Sequence, residues 1–186
     1  MVKDDYNNAD ANTVVDLAAS PNGNLYVVED DKEVWESSDK GRSWIKIEND
    51  YSGESNSPLY LVAAPNGNLY IAEGDEDVWI SANNGMLWTK AAANMNGAGG
   101  DIKGIASNSS NALFIVDNKA DVYVSSNNAT TWALVNSDYN GADPDSDTID
   151  MGSDDYGFLY ILRGQDVYRS SDSGVGWSKV SDDFNG

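Results

Sequence analysis

The 186-residue chain contains no cysteine and no histidine. Disulfides, thiolate metal sites and any chemistry that needs imidazole are thereby excluded. Basic residues are scarce, 11 against 31 acids, for a net charge of −20. Such a surface repels phosphate backbones and anionic lipid heads, which argues against nucleic acid and membrane partners. The charge suits solubility, a salty habitat, or the attraction of cations or a basic partner. No apolar run approaches the roughly 20 residues needed to span a bilayer. The opening MVKDDYNNAD has no apolar signal core. The protein is therefore expected to be cytoplasmic, or secreted with a leader that is not part of this sequence. The lack of cysteine does not decide the compartment.

What the chain does have is repetition. SSDKGRSW begins at Ser37, SANNGMLW at Ser81, SSNNATTW at Ser125 and SSDSGVGW at Ser170, at spacings of 44, 44 and 45 residues. Leu25-Tyr26 recurs as Leu69-Tyr70, Leu113-Phe114 and Leu159-Tyr160. From residue 17 to 46, sixteen of thirty positions are identical 44 residues later. A period in this range marks a repeat architecture.

Each unit reads as four short strands. VVDLAAS, LYVVE, EVWES and WIKI are rich in β-branched and aromatic residues and are separated by PNGN, DDK and SDKGRS. Asn22-Gly23 and Asn66-Gly67 are hairpin signals. No segment has a helical apolar period. The expected fold is all-β: a β-propeller of four-stranded antiparallel blades, four per chain, over approximately 13–53, 57–97, 101–141 and 147–186. Small residues in each first strand (Ala18-Ala19, Val62-Ala63, Ala106-Ser107, Gly152-Ser153) suit the narrow inner end of a wedge.

The recurring eight residues resemble the Asp-box, or bacterial neuraminidase repeat, S-x-D-x-G-x-x-W, of sialidases, sortilin-like receptors and other propellers. The matching positions are Ser37, Asp39, Gly41 and Trp44; Ser81, Asn83, Gly85 and Trp88; Ser125, Asn127 and Trp132; and Ser170, Asp172, Gly174 and Trp177. An Asx side chain there accepts from backbone N–H groups just ahead, glycine permits a left-handed backbone, and the indole buries apolar surface between blades. The box is thus expected to be a folding device joining the third and fourth strands. Ala129 departs from the pattern, so a looser third turn is expected. The resemblance to sialidases also implies three convergent arginines, a tyrosine nucleophile paired with a glutamate, and an acid catalyst. This chain has only Arg42, Arg163 and Arg169, spread over both rims, and is expected not to be an enzyme.

Alternate turns of a blade fall on opposite rims. One rim is expected to gather EDDKE (29–33), EGDED (73–77), DNKAD (117–121), RGQD (163–166) and the inter-blade connections. This acidic rim would be offered to a protein, a cation or a glycan. The stretch 143–154 spaces Asp143, Asp145 and Asp147 like the start of a calcium loop, but Thr148 replaces the required glycine and Asp154 the final glutamate. Calcium is the only cofactor it suggests, against an ordinary polar loop. Tyr51, Tyr139 and Phe184 recur seven residues past the box tryptophan, with Met95 in the second unit. They are candidates for sugar stacking or for loop anchors. The functional expectation is a non-catalytic binding or assembly module. The alternative is a sialidase-like glycoside hydrolase or lectin. For closure, two chains head to tail around a two-fold axis as an eight-bladed homodimer are favoured over a four-bladed ring, with other oligomers or a fragment of a longer array as the remaining readings.

Overall fold

The computed structural model describes residues 12–95, 100–141 and 147–181. These contain sixteen β-strands and no helix. Four separate four-stranded meanders run β1-β2-β3-β4, β5-β6-β7-β8, β9-β10-β11-β12 and β13-β14-β15-β16, every neighbouring pair antiparallel. Blade 1 holds β1 (Val14–Ala19), β2 (Leu25–Glu29), β3 (Val34–Ser37) and β4 (Ile45–Glu48). Blade 2 follows with β5 (Pro58–Ala63), β6 (Leu69–Glu73), β7 (Val78–Ser81) and β8 (Thr89–Ala92). Blade 3 has β9 (Ile102–Ser107), β10 (Leu113–Asp117), β11 (Val122–Ser125) and β12 (Ala133–Asn136). Blade 4 has β13 (Thr148–Ser153), β14 (Leu159–Arg163), β15 (Asp166–Ser170) and β16 (Ser178–Ser181). The arrangement is a β-propeller.

The strands are apolar on both faces because each blade is covered on both sides. Alternating residues of one strand serve two different seams. In β6, Leu69 and Ile71 pack toward blade 1, and Tyr70 and Ala72 toward blade 3. Three hydrophobic clusters fill the three seams. Tyr26, Val28 and Val34 meet Leu61, Leu69, Ile71, Trp79 and Trp88 between blades 1 and 2. Tyr70, Ala72 and Val78 meet Ile102, Ile105, Leu113 and Ile115 between blades 2 and 3. Phe114, Val116 and Val122 meet Met151, Leu159, Ile161, Tyr168 and Trp177 between blades 3 and 4.

Close approach at the axis needs small side chains. A methyl group on Gly104 would come within 2.4 Å of the Met151 backbone nitrogen, so glycine is what lets β9 and β13 touch there. Strands β1, β5, β9 and β13 pack in succession, whereas β13 makes no comparable contact with β1. No hydrophobic cluster joins blade 4 to blade 1 among the described residues.

Candidate functional site

The four recurring turns are built alike. Ser37 Oγ donates to Asp39 Oδ1 at 2.9 Å and accepts from the Gly41 N–H at 2.8 Å. Asp39 Oδ1 also accepts from the N–H groups of Arg42 (2.9 Å) and Ser43 (2.8 Å), and Oδ2 from Ser43 Oγ (2.7 Å). The Ser43 hydroxyl and N–H pull the Asp39 carboxyl down to about 2. Lys40 and Gly41 both have positive φ (64° and 81°), as do Asn84-Gly85, Asn128-Ala129 and Ser173-Gly174. Successive positive φ values strain any residue with a Cβ, which explains glycine at the second position in three of the four turns.

Ser81–Asn83, Ser125–Asn127 and Ser170–Asp172 repeat the serine–Asx bond at 2.9, 2.9 and 2.8 Å. The third turn keeps this shape with Ala129 at φ 64°. It differs in its tryptophan. Trp88 and Trp177 donate Nε1–H to the carbonyls of Gly85 and Gly174 at 2.9 Å, while the buried Trp132 Nε1 finds no acceptor. The serine and Asx side chains at the first and third positions bond within their own turns, whereas Asn128 Oδ1 accepts from the Tyr70 hydroxyl of blade 2 at 3.2 Å.

At the opposite rim, each second strand of blades 1–3 ends in a fully buried acid: Glu29, Glu73 and Asp117. They belong to the acidic stretches assigned to this rim, yet their own side chains are shut off from solvent. Glu33, Glu76 and Asp77 are buried as well. Glu73 is held by Tyr51 O–H on Oε1 (2.7 Å) and Trp79 Nε1–H on Oε2 (2.8 Å). Burial raises its pKa, and those two donors oppose the rise. Burial likewise pushes the Tyr51 hydroxyl up, with the Glu73 carboxylate adding to it. Trp35 Nε1–H reaches Glu29 Oε2 at 2.9 Å in blade 1.

Two acid triads bring carboxylate oxygens within 4.8 Å of one another, Glu29–Asp31–Glu33 and Glu54–Glu73–Asp77. Both already contain a protein cation. Lys46 pairs with Glu33, and Lys90 with Asp77 and Glu54. The hydrogen bonds that Lys90 donates to Asp77, and next to Glu54, raise its pKa. Asp30, Asp31, Asp50, Glu54, Asp75 and Asp101 are exposed on the rim of blades 1–3, with Lys32 3.8 Å from Asp50 and Lys103 3.8 Å from Asp101.

The remaining sequence candidates separate. Tyr51 and Tyr139, considered for sugar stacking, are each 5% exposed. Tyr51 lies edge-on to Trp79 and tilted against Trp88, and Tyr139 packs on Tyr168 and Trp177. Their ring faces are covered, so they act as anchors of the inter-blade connections. Phe184, Asp143 and Asp145 lie outside the described residues; Asp147 is exposed and its carbonyl accepts from Gly164 N–H. Arg42 sits in the first turn, while Arg163 and Arg169 occupy opposite ends of the β14–β15 hairpin, Arg169 over the Phe158 ring. On the PNGN side an open funnel of ≈ 500 Å³ is lined by Ala19, Ser20, Ala63, Ser107, Ser153 and Asp155 from all four blades.

Sixteen strands in four radial meanders with filled seams define the class: a β-propeller built from sequence repeats. The chain belongs to the sortilin (Vps10) family, whose profile, described as sortilin, neurotensin receptor 3, matches residues 32–155, two thirds of its length. No curated protein matches the sequence. Solved structures share the fold at low identity. YCF48 bound to a D1 peptide aligns over 90% of this chain and 53% of its own, at 17% identity and TM-score 0.61. A gluconolactonase from Xanthomonas campestris aligns over 88% and 60%, at 15% identity and TM-score 0.65. A catalytically inactive virginiamycin B lyase from Staphylococcus aureus with quinupristin aligns over 95% and 58%, at 9% identity and TM-score 0.72. The chain thus spans just over half of each of these structures. No helix among the described residues is long and apolar enough to cross a membrane.

Proposed function

We propose that the chain is a non-catalytic binding module whose four recurring turns are Asp-boxes and whose acidic rim receives a basic peptide segment of a protein partner. The observation that carries this reading is the rim of blades 1–3. Six exposed carboxylates stand there beside buried acids, and Lys46 and Lys90 are already paired within it. A concentration of one sign on one face attracts a ligand of the other sign and speeds its encounter. YCF48, a propeller of similar fold, is seen with a peptide, which supports the choice of ligand class. The covered rings of Tyr51 and Tyr139 disfavour a lectin, and the scattered arginines disfavour a sialidase.

The test is fluorescence anisotropy with a labelled lysine- and arginine-rich peptide. Binding should be seen at low salt and weaken steeply as salt rises. Asp31→Lys with Asp75→Lys should weaken it about 10-fold or more at low salt, as expected for rim charges. Absence of binding at low salt, or turnover of a fluorogenic sialoside, would overturn the reading. Binding on a glycan array, run with and without calcium, would do the same.

A further inference from the structure

The two ends of the blade series carry the same residues as the three filled seams, but these are exposed. Leu61, Ile105 and Met151 hold one position in the leading faces of blades 2, 3 and 4, at 5%, 6% and 4% exposure. Leu17 holds it in blade 1 and is 52% exposed. Pro58, Ile102 and Thr148 are buried; their counterpart Val14 is 41% exposed. At the other end, Tyr26, Tyr70 and Phe114 are buried in trailing faces, while Tyr160 of blade 4 is half-buried. Val28, Ala72 and Val116 are buried against a half-buried Leu162, and Val180 is 47% exposed.

We infer that the occupant of both ends is a second copy of this chain, docked head to tail. Each end face repeats one half of a seam that the molecule already forms three times, so blade 4 of one copy and blade 1 of another are complementary by construction. A polar contact extends the match. Asp16 Oδ2 accepts the Leu61 N–H at 2.8 Å across the seam between blades 1 and 2. Asp150 stands at the Asp16 position in blade 4, and Leu17, at the Leu61 position in blade 1, donates its N–H to Asp16 Oδ1 at 2.7 Å, so in the copy-to-copy seam that N–H is shared between Asp16 and Asp150. A leading face meeting a trailing face is a heterologous contact, which makes rings when the rotation closes. Propellers close with about 4–8 blades. Two copies of four blades are the one multi-copy ring within that range. Self-closure is disfavoured by the arc itself, since β13 and β1 are not packed together.

The experiment is sedimentation velocity with light scattering on the full chain at micromolar concentration. The expected mass is twice the 20.0 kDa of one chain. Leu17→Asp and Val180→Asp should each return it to 20.0 kDa with an unchanged β circular-dichroism spectrum. A carboxylate forced into each of two seams raises the dimer dissociation constant by about 100-fold or more. Leu134→Asp, equally exposed at 52% but on the outer strand of blade 3, should keep the doubled mass. Wild-type chain at 20.0 kDa, a mass above two copies, or a Leu17→Asp variant that stays dimeric would each overturn the inference.

Discussion

Blade 2 ends its second strand with Glu73 and blade 3 with Asp117, and both side chains are fully buried. Around Glu73 the two carboxylate oxygens each receive a donor, the Tyr51 hydroxyl and the Trp79 indole. In blade 3 the counterparts of those donors are Met95 and Tyr123. Asp117 Oδ1 accepts the N–H groups of Lys119 and Asp121 at 2.9 Å, but Oδ2 has no partner and lies where a methyl on Gly100 would come within 2.5 Å. Burial raises the Asp117 pKa, opposed mainly by the Asp121 and Lys119 amides. Burial of Tyr123 itself, and after it the Asp117 charge, push the Tyr123 hydroxyl up to about 12. Both acids are held above their ordinary range by burial, but in one seam a donor answers each carboxylate oxygen and in the next one oxygen is left unanswered. A buried carboxylate stabilises only when every oxygen is answered.

Transplanting the poorer seam into the better one gives the largest expected effect. Tyr51→Met with Trp79→Tyr removes both donors from Glu73. It should lower unfolding stability by about 3–5 kcal/mol at pH 7 in urea titrations, with each single variant giving roughly half. Strong non-additivity would mean that the two donors act as one network. A loss below about 1 kcal/mol would show that Glu73 is not held as described.

Asp117→Asn runs the comparison the other way. The folded-state pKa is raised, so the ionised acid opposes folding above its ordinary value of 3.8. That penalty grows as pH rises through the window between the ordinary and raised values, then stays constant. The asparagine variant should therefore be more stable than wild type by about 1–3 kcal/mol at neutral pH, and the difference should shrink as the pH falls toward 3.8. Thermal melts at several pH values would show it; a constant difference would place the effect outside titration.

The smallest effects belong to the turns. Gly85→Ala sets a methyl 2.7 Å from Ile47 Cδ1 at φ +81° and should cost about 1–2 kcal/mol. Ala129→Gly relieves a left-handed alanine but loses a buried methyl, so its net change should stay within about 1 kcal/mol. Chemical denaturation of both variants would check whether the third turn tolerates alanine because its tryptophan forgoes the carbonyl bond made by Trp88 and Trp177.

Much of the fold was legible because its determinants are local. An Asn-Gly or Lys-Gly pair sets its own turn, and in each of the four recurring turns a serine and the Asx two residues on bond to each other. The buried acids were less legible. Glu73 reads as the first letter of an acidic loop, and its burial depends on Tyr51, 22 residues earlier in the chain. The signal present was an acid closing an apolar run with tryptophan six residues on, as in Glu29–Trp35 and Glu73–Trp79. Tyr51 and Tyr139 stand in polar connections, and only their burial against neighbouring indoles distinguishes an anchor from a sugar platform.

The period, the four strands per blade, the turn chemistry and the sign of the charge can all be read from the residues alone. Each of these follows from residues close in the chain. Tertiary structure alone decided which carboxylates are answered, which aromatic rings are covered, and that the apolar faces of blades 1 and 4 stay apart. Those outcomes depend on how wedges a full repeat or more apart meet, and the angle between blades is set by packing across the seams.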